Sequence, residues 1–360
     1  MFFMETRKKN TPHLKSGTVP VIVTLLLSVW TGGYAGANDA PRPILMRHAA
    51  MATNVEILML CPPDGEPEAF RQAARDAFAA IDALEARVSR FRADSFVTLA
   101  NRNAAERTVA VPGDMMALLR ESRRISDRTG GAFDITVGPI ITLWGLYEGR
   151  DALPSPEEIA EAAALVGMEH VVLDDAENTV FFTRQGVHMD FGGVAKGLAL
   201  DRAAAVLRDH GVESARLNIG TSTILALGAP PGKTGWTVDI RSPYNNDEGA
   251  FIASVEIRDE ALSTSSRSER YIKIEGRKYG HIVDPRTGRP ADGVLSASAI
   301  VPSGLESDAL STAFFVMGYD ETRRYCETYS DARAILMVEE NGAPEVFLIN
   351  MNQDNGQEKE

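Results

Sequence analysis

Apolar residues recur at helical spacing from Glu66 to Arg90, where Phe70, Ala74, Ala77, Phe78, Ile81, Leu84 and Val88 fall on one stripe. That period predicts a long amphipathic helix with one buried face. Just before it, Val55 to Leu60 alternates apolar and polar positions, as a half-buried strand does. A second helical pattern opens at Asp114, runs through Met115, Leu118, Leu119 and Ile125, and stops at Gly130-Gly131. A third starts at Ser155-Pro156-Glu157-Glu158 and ends near Gly167: Ser caps, Pro sits in the first turn and Glu reaches back.

His170 to Asp174 and Thr179 to Arg184 read as a hairpin across Asp175 to Asn178, and Val194 to about His210 as a helix stopped by Gly211. Strand-like stretches follow at Ala215 to Ile219, Thr223 to Leu227, Trp236 to Arg241, Phe251 to Ile257, Tyr271 to Ile274 and Leu295 to Val301. A helix around Asp308 and strands at Ala334 to Val338 and Val346 to Ile349 complete the pattern. Helices and strands come in blocks rather than strict alternation, which predicts an α+β fold with antiparallel sheet. Residues 38–50 contain prolines and read as a linker, 51–349 as the folded domain, and 350–360 as a polar, frayed tail.

Composition narrows the function. The chain has 360 residues, 44% of them hydrophobic, enough for a sizeable core. A formal net charge of -13 excludes nonspecific nucleic-acid binding, which needs a basic face. Any anionic ligand must be held by a local site. Residues 1–37 read as an export signal: Arg7, Lys8, Lys9 and Lys15 lead, Val19 to Trp30 is a short apolar run, and Ala35-Gly36-Ala37 offers a cleavage site. The alternative is an uncleaved anchor. Export predicts a periplasmic or other extracytoplasmic protein. The two cysteines, Cys61 and Cys326, fall in an apolar strand and a helix, and are expected to be buried free thiols.

Two motifs carry chemistry. Asp190-Phe191-Gly192-Gly193-Val194-Ala195-Lys196-Gly197 reads as a strand end, a glycine pair and a helix start. Unpaired N–H groups at such a start, with the Lys196 charge in the first turn, suit a phosphate or pyrophosphate. Tight helix–strand packing is the plainer reading. In Ser307-Asp308-Ala309-Leu310-Ser311-Thr312, Asp308 and Thr312 share a helix face one turn apart. Carboxylate and hydroxyl are hard oxygen donors suited to magnesium. Alternatively, Asp308 caps its helix and Thr312 bonds back to a carbonyl.

Together, "DFGGVAKG", "HIVDPRTGRP" and "DALSTAFFVMG" resemble the ApbE family of FAD:protein FMN transferases, as do "MATNVEI", "SRFRADSFVTLANRN" and "GGAFDITVGPIITLWG". The likeness covers roughly residues 50 to 345. It implies a T-fold-like architecture of two related halves, each helix plus antiparallel sheet, with the flavin cleft between them. It implies FAD as substrate and Mg2+ held by the Gly193 carbonyl, the Asp308 carboxylate and the Thr312 hydroxyl. FAD contacts would fall on Met51, Phe91, Ala132, Phe133, Asp134, Asp190, Lys196 and Val283. Phe91 stands where relatives often have Tyr.

The implied reaction moves FMN onto a threonine or serine of an acceptor flavoprotein of the cell envelope, releasing AMP. His281 would act as base, Lys196 would offset phosphate charge, and Asp284 would position the histidine or the metal shell. Hydrolysis of FAD to FMN and AMP, or FAD binding without turnover, are the alternatives. The lipoprotein cysteine of many relatives is absent, so no N-terminal lipid anchor is expected. Where relatives read N-x-G-G-[DN], this chain has Asn218-Ile219-Gly220-Thr221-Ser222, so a branched residue stands where the backbone could need a positive φ.

Overall fold

The computed structural model describes residues 40–244, 251–268, 271–340 and 342–351. The export signal expected over 1–37 and most of the 350–360 tail lie outside these residues. The first strand, β1 (Arg42–Ala50), pairs antiparallel with β2 (Thr53–Cys61), from Ala50↔Thr53 to Arg42↔Cys61. The linker expected over 38–50 is therefore mostly a strand. Two features hid it. Pro43 argues against a strand, yet β1 is the outermost strand of its sheet, where proline is tolerated. The turn uses Met51 and Ala52, with φ of 50° and 58°, in place of the asparagine or glycine that usually marks two positive φ values in a hairpin.

α1 (Pro67–Val88) buries the stripe that its spacing predicts, from Ala74 through Ile81 and Leu84 to Val88. A short α2 (Phe96–Asn103) follows, its first turn capped by the Ser95 hydroxyl, which accepts from the Thr98 N–H. Next come β3 (Val109–Ala110), α3 (Gly113–Arg128), α4 (Gly138–Leu143) and α5 (Pro156–Ala163), the last with the predicted Ser155–Glu158 capping box. β4 (Val171–Asp174) and β5 (Thr179–Phe182) form the expected hairpin, extended by β3. α6 (Ala195–Asp209) then leads into β6 (Ala215–Ile219) and β7 (Thr223–Leu227).

β8 (Trp236–Arg241) and β9 (Phe251–Ile257) make a two-stranded ribbon. β10 (Ala261–Ser266) precedes two small hairpins, β11 (Tyr271–Ile274) with β12 (Arg277–Gly280) and β13 (Val283–Asp284) with β14 (Arg289–Pro290). β15 (Val294–Val301), α7 (Gly304–Thr328), β16 (Arg333–Glu340) and β17 (Ala343–Ile349) follow. α7 is kinked at Gly318, whose φ of 70° and ψ of -171° are not helical.

One eight-stranded sheet, ordered β1-β2-β6-β7-β10-β15-β16-β17 and antiparallel throughout, unites these elements. It falls into two four-stranded halves that meet where β7 pairs with β10, over Ala261↔Leu225 to Ser263↔Thr223. α6 packs between α1 and α7. The main core joins these helices to the sheet through Ile57, Met59, Ile81, Leu200, Leu217, Leu310 and Phe314. A second cluster, around Trp236, Val238, Ile257, Leu262, Ile300 and Ile335, seats the β8–β9 ribbon on the sheet. Cys61 and Cys326 are both buried and free, as expected. The tail does not fray at once: the Asn350 amide donates to the Cys326 and Ala332 carbonyls at 2.8 and 3.0 Å. Among the described residues no helix is long and apolar enough to cross a membrane.

Candidate active site

The glycine pair is held in place before the helix begins. The Asn101 side chain, on α2, accepts from the Met189 N–H at 2.8 Å and donates to its carbonyl at 2.9 Å. One residue on, the Asp190 carboxylate accepts from the Gly192 N–H at 2.8 Å and pairs with Arg90 at 2.9 Å. These bonds fix the path into the turn at Gly192-Gly193, one residue ahead of Val194, the N-cap of α6. A Cβ on Gly193 would lie 3.3 Å from the Thr312 hydroxyl and 3.4 Å from the Phe133 ring. Glycine is what lets the α7 hydroxyl and the backbone of residue 193 approach so closely.

Asp308 is only 4% exposed. It does not cap its own helix, because the Ser303 hydroxyl does that by accepting from the Glu306 N–H. Instead one Asp308 oxygen accepts from the Gly197 N–H on α6 at 3.1 Å and the other from the Thr223 hydroxyl at 3.4 Å. Thr312 does bond back to the Asp308 carbonyl, at 3.4 Å, and also faces the Ser265 hydroxyl at 3.3 Å. Ser265 meets Ser311 at 3.0 Å, so strand β10 and helix α7 share a layer of hydroxyls. Gly193 thus comes up against the α7 turn that carries Asp308 and Thr312, distant from it in sequence. Lys196 points to the same junction and donates to Ser222 at 2.5 Å.

The donor set matches a hard divalent cation. Among the described residues no three His, Cys, Asp or Glu side chains cluster as a metal site. A cation here would have one carboxylate and neutral oxygens, leaving positions for phosphate oxygens or water, as magnesium sites do. The Thr221 departure carries no strain: the positive φ, 60°, belongs to Gly220, and Thr221 is not among the residues with positive φ.

A rim of aromatic groups borders the glycine pair. Phe91 is 76% exposed and meets Tyr147 edge-on, with ring centroids 5.7 Å apart. The Arg90 guanidinium lies 4.2 Å from the Tyr147 ring centroid, and a Cβ on Gly192 would lie 3.5 Å from the Tyr147 hydroxyl. Sequence reasoning missed Arg90, Asn101 and Tyr147. The first two stand inside the quoted "SRFRADSFVTLANRN" segment, and Tyr147 comes just after "LWG", so their place in those motifs was the available signal.

The remaining expected residues take varied roles. Met51 sits in the β1–β2 turn, its N–H donating to Glu85 at 2.8 Å. Ala132 and Phe133 are buried. The Asp134 carboxylate is buried too, and accepts from Ser126, from the Thr136 N–H and hydroxyl, and from the Met168 N–H. Desolvation holds its pKa above the ordinary carboxylate range despite those bonds. It therefore braces its own loop rather than presenting an open charge. Val283 packs in a third cluster with Ile140, Ile141 and Trp144. Both Asp284 oxygens receive bonds from Arg286, at 2.9 to 3.2 Å, so its contacts organise the 284–288 turn. His281 is half-buried between β12 and β13.

His188, also unanticipated, lies two residues before Asp190. Burial first, and then Arg90, hold its pKa below 6.5, with Asp190 opposing. A cleft of about 840 Å³ is lined by residues that include Arg267, Tyr271, Arg277, Lys278, Gly280 and Arg289, but not Gly193, Asp308 or Thr312.

Known proteins match this sequence and fold. The ApbE family matches residues 51–336. A FAD:protein FMN transferase of Treponema pallidum is 32% identical over 69% of this chain and 72% of its own length. One from Haemophilus influenzae is 27% identical over 91% of this chain and 94% of its own. The crystal structure of the ApbE protein of Thermotoga maritima superposes with a TM-score of 0.75 at 31% identity, covering 84% of this chain and 96% of that one. The apo flavinyl transferase ApbE of Pseudomonas stutzeri gives 0.75 at 26% identity, covering 86% and 95%. With the family matched over most of its length, the chain belongs to the ApbE family.

Proposed function

We propose that this protein is a transferase that moves FMN from FAD to a threonine or serine hydroxyl of an acceptor protein, releasing AMP. The observation that carries the reading is the meeting of Gly193 with Asp308 and Thr312 beside Lys196, a site suited to a diphosphate. The relatives named as FAD:protein FMN transferases support it.

The acceptor oxygen forms a bond to the FMN-side phosphorus as the bridging P–O bond breaks. AMP departs with that electron pair, and His281 takes the hydroxyl proton, since an imidazole can exchange protons near neutrality. Lys196 offsets charge on the phosphate oxygens. The Gly193 carbonyl, Asp308 and Thr312 would hold Mg2+, which supplies charge neutralisation at the phosphates. Phe91 offers an open aromatic face to the flavin or adenine ring. The export signal supports an acceptor in the cell envelope.

The test incubates the protein lacking residues 1–37 with FAD, Mg2+ and a candidate acceptor, and follows AMP and acceptor mass. AMP with an acceptor heavier by one FMN phosphoester supports the proposal. AMP with an unchanged acceptor shows hydrolysis, and stable, tightly held FAD shows a binder without turnover.

A further inference from the structure

The α6–α7 junction contains a device that no motif announces. Asp201, on α6 one turn beyond Gly197, reaches the start of α7. Its carboxylate accepts from the Gly304 N–H at 2.6 Å, the Leu305 N–H at 2.9 Å and the Ser303 hydroxyl at 3.1 Å. Asp308, on α7 one turn beyond Gly304, reaches back to the Gly197 N–H of α6. Each helix therefore supplies a carboxylate to the first turn of the other. Between the two bonds the backbones touch: a Cβ on Gly197 would fall 1.8 Å from the Gly304 carbonyl oxygen, and one on Gly304 would fall 2.4 Å from the Gly197 carbonyl oxygen.

We propose that Asp201 is a positioning residue for the cation site. By clamping the first turn of α7 onto α6, it fixes the axial placement and rotation of α7, and with them the direction of Asp308 and Thr312 toward Gly193. The inference rests on the cation reading given above and adds a residue to it. A first-turn cap alone would stabilise α7. This one also sets the distance between two helices that each carry part of one site. An anchor formed by three hydrogen bonds, a fourth returning from Asp308 and a glycine–glycine contact leaves α7 little freedom to slide or roll. Without Asp201, the Asp308 carboxylate would have to hold the α6 start, α7 and the cation at once.

The test measures Mn2+ affinity by electron paramagnetic resonance on the purified protein, with no turnover, well below the unfolding temperature. Mn2+ takes the same oxygen ligands as Mg2+. Asp201→Asn is expected to weaken Mn2+ binding by about tenfold or more, the scale seen when groups that orient metal ligands are removed. The Mg2+ concentration for half-maximal activity should rise with it, while kcat at saturating Mg2+ stays near wild type. Ser155→Ala, which removes the distant α5 cap, should leave Mn2+ affinity unchanged, separating positioning from general loss of stability. Should Asp201→Asn fail to fold, Ser303→Ala removes one of the three bonds together with the α7 cap on Glu306, and Mn2+ affinity unchanged in it counts against the inference in the same way. Wild-type affinity in a folded Asp201→Asn or Ser303→Ala protein, with binding abolished by Asp308→Ala, overturns this inference alone. Mn2+ binding that survives Asp308→Ala overturns the cation reading and the inference together.

Discussion

The two halves of the main sheet are built alike but furnished differently. In the C-terminal half, α7 connects β15 directly to β16 with short links at either end. In the N-terminal half, the chain leaves α1 and returns to the sheet only at α6 and β6, after α2 to α5 and the β3–β5–β4 sheet. The direct half supplies Asp308, Thr312 and Ser265, side chains on a helix or strand with tightly set neighbours. The detour supplies Phe91, Tyr147, the 132–134 loop and Asp190, which surround the glycine pair from outside. In the proposed reading, the side chains offered to the ion come from the direct half, while the excursion brings the Gly193 backbone and the groups offered to the larger ligand.

Substitutions can break that division of labour. Asp308→Ala should cut AMP release by about a thousandfold, the scale of losing a preorganised charge-stabilising group, with FAD binding reduced far less. Comparable AMP release by wild type and variant would remove the direct half from the chemistry. Gly197→Ala drives a methyl into the Gly304 backbone and should cost about 3 kcal/mol by chemical denaturation. A loss below about 0.5 kcal/mol, typical of a surface change, would mean the halves are not locked together there. Phe91→Ala, on the excursion, should leave the melting temperature unchanged because the ring is exposed. It should raise KM for FAD several-fold, consistent with about 1 kcal/mol of stacking.

The smallest effect concerns pH. His188 is held below 6.5 in the folded protein, so the unfolded chain binds the proton more readily. Stability therefore falls as pH drops from about 6.5 toward the folded value. Replacing His188 with Gln should lessen the fall in melting temperature as pH drops below about 6.5, because this proton-binding group is gone. An unchanged slope would place the titration elsewhere.

How much of this could be read from the chain depends on residue type. α1 and the β4–β5 hairpin were legible because large apolar groups mark their period and turn residues mark their ends. β10 was not, because Ala261–Ser266 is short on bulky apolar residues and rich in hydroxyls. β15 is buried on both faces, so no alternation exists to read along its length, though its apolar run was visible. The glycine pair and the Asp308–Thr312 face were legible as motifs, but their contact was not, since it depends on α6 crossing α7 at Gly197 and Gly304. Asp134 and Asp284 were legible as site candidates by position, but the hydrogen bonds that tie them into their own loops were not.

Gly318 divides α7 into two levers. The segment before it is pinned to α6 through Asp201 and Asp308, and the segment after it folds back on the first, with Tyr325 against Phe314, while the Asn350 amide holds the Cys326 carbonyl. The backbone break at Gly318 interrupts the rod, and the Thr322 hydroxyl spans it by donating to the Phe314 carbonyl. The last helical turns therefore lean on the Asp308-bearing segment through side chains, with no continuous helical backbone between them.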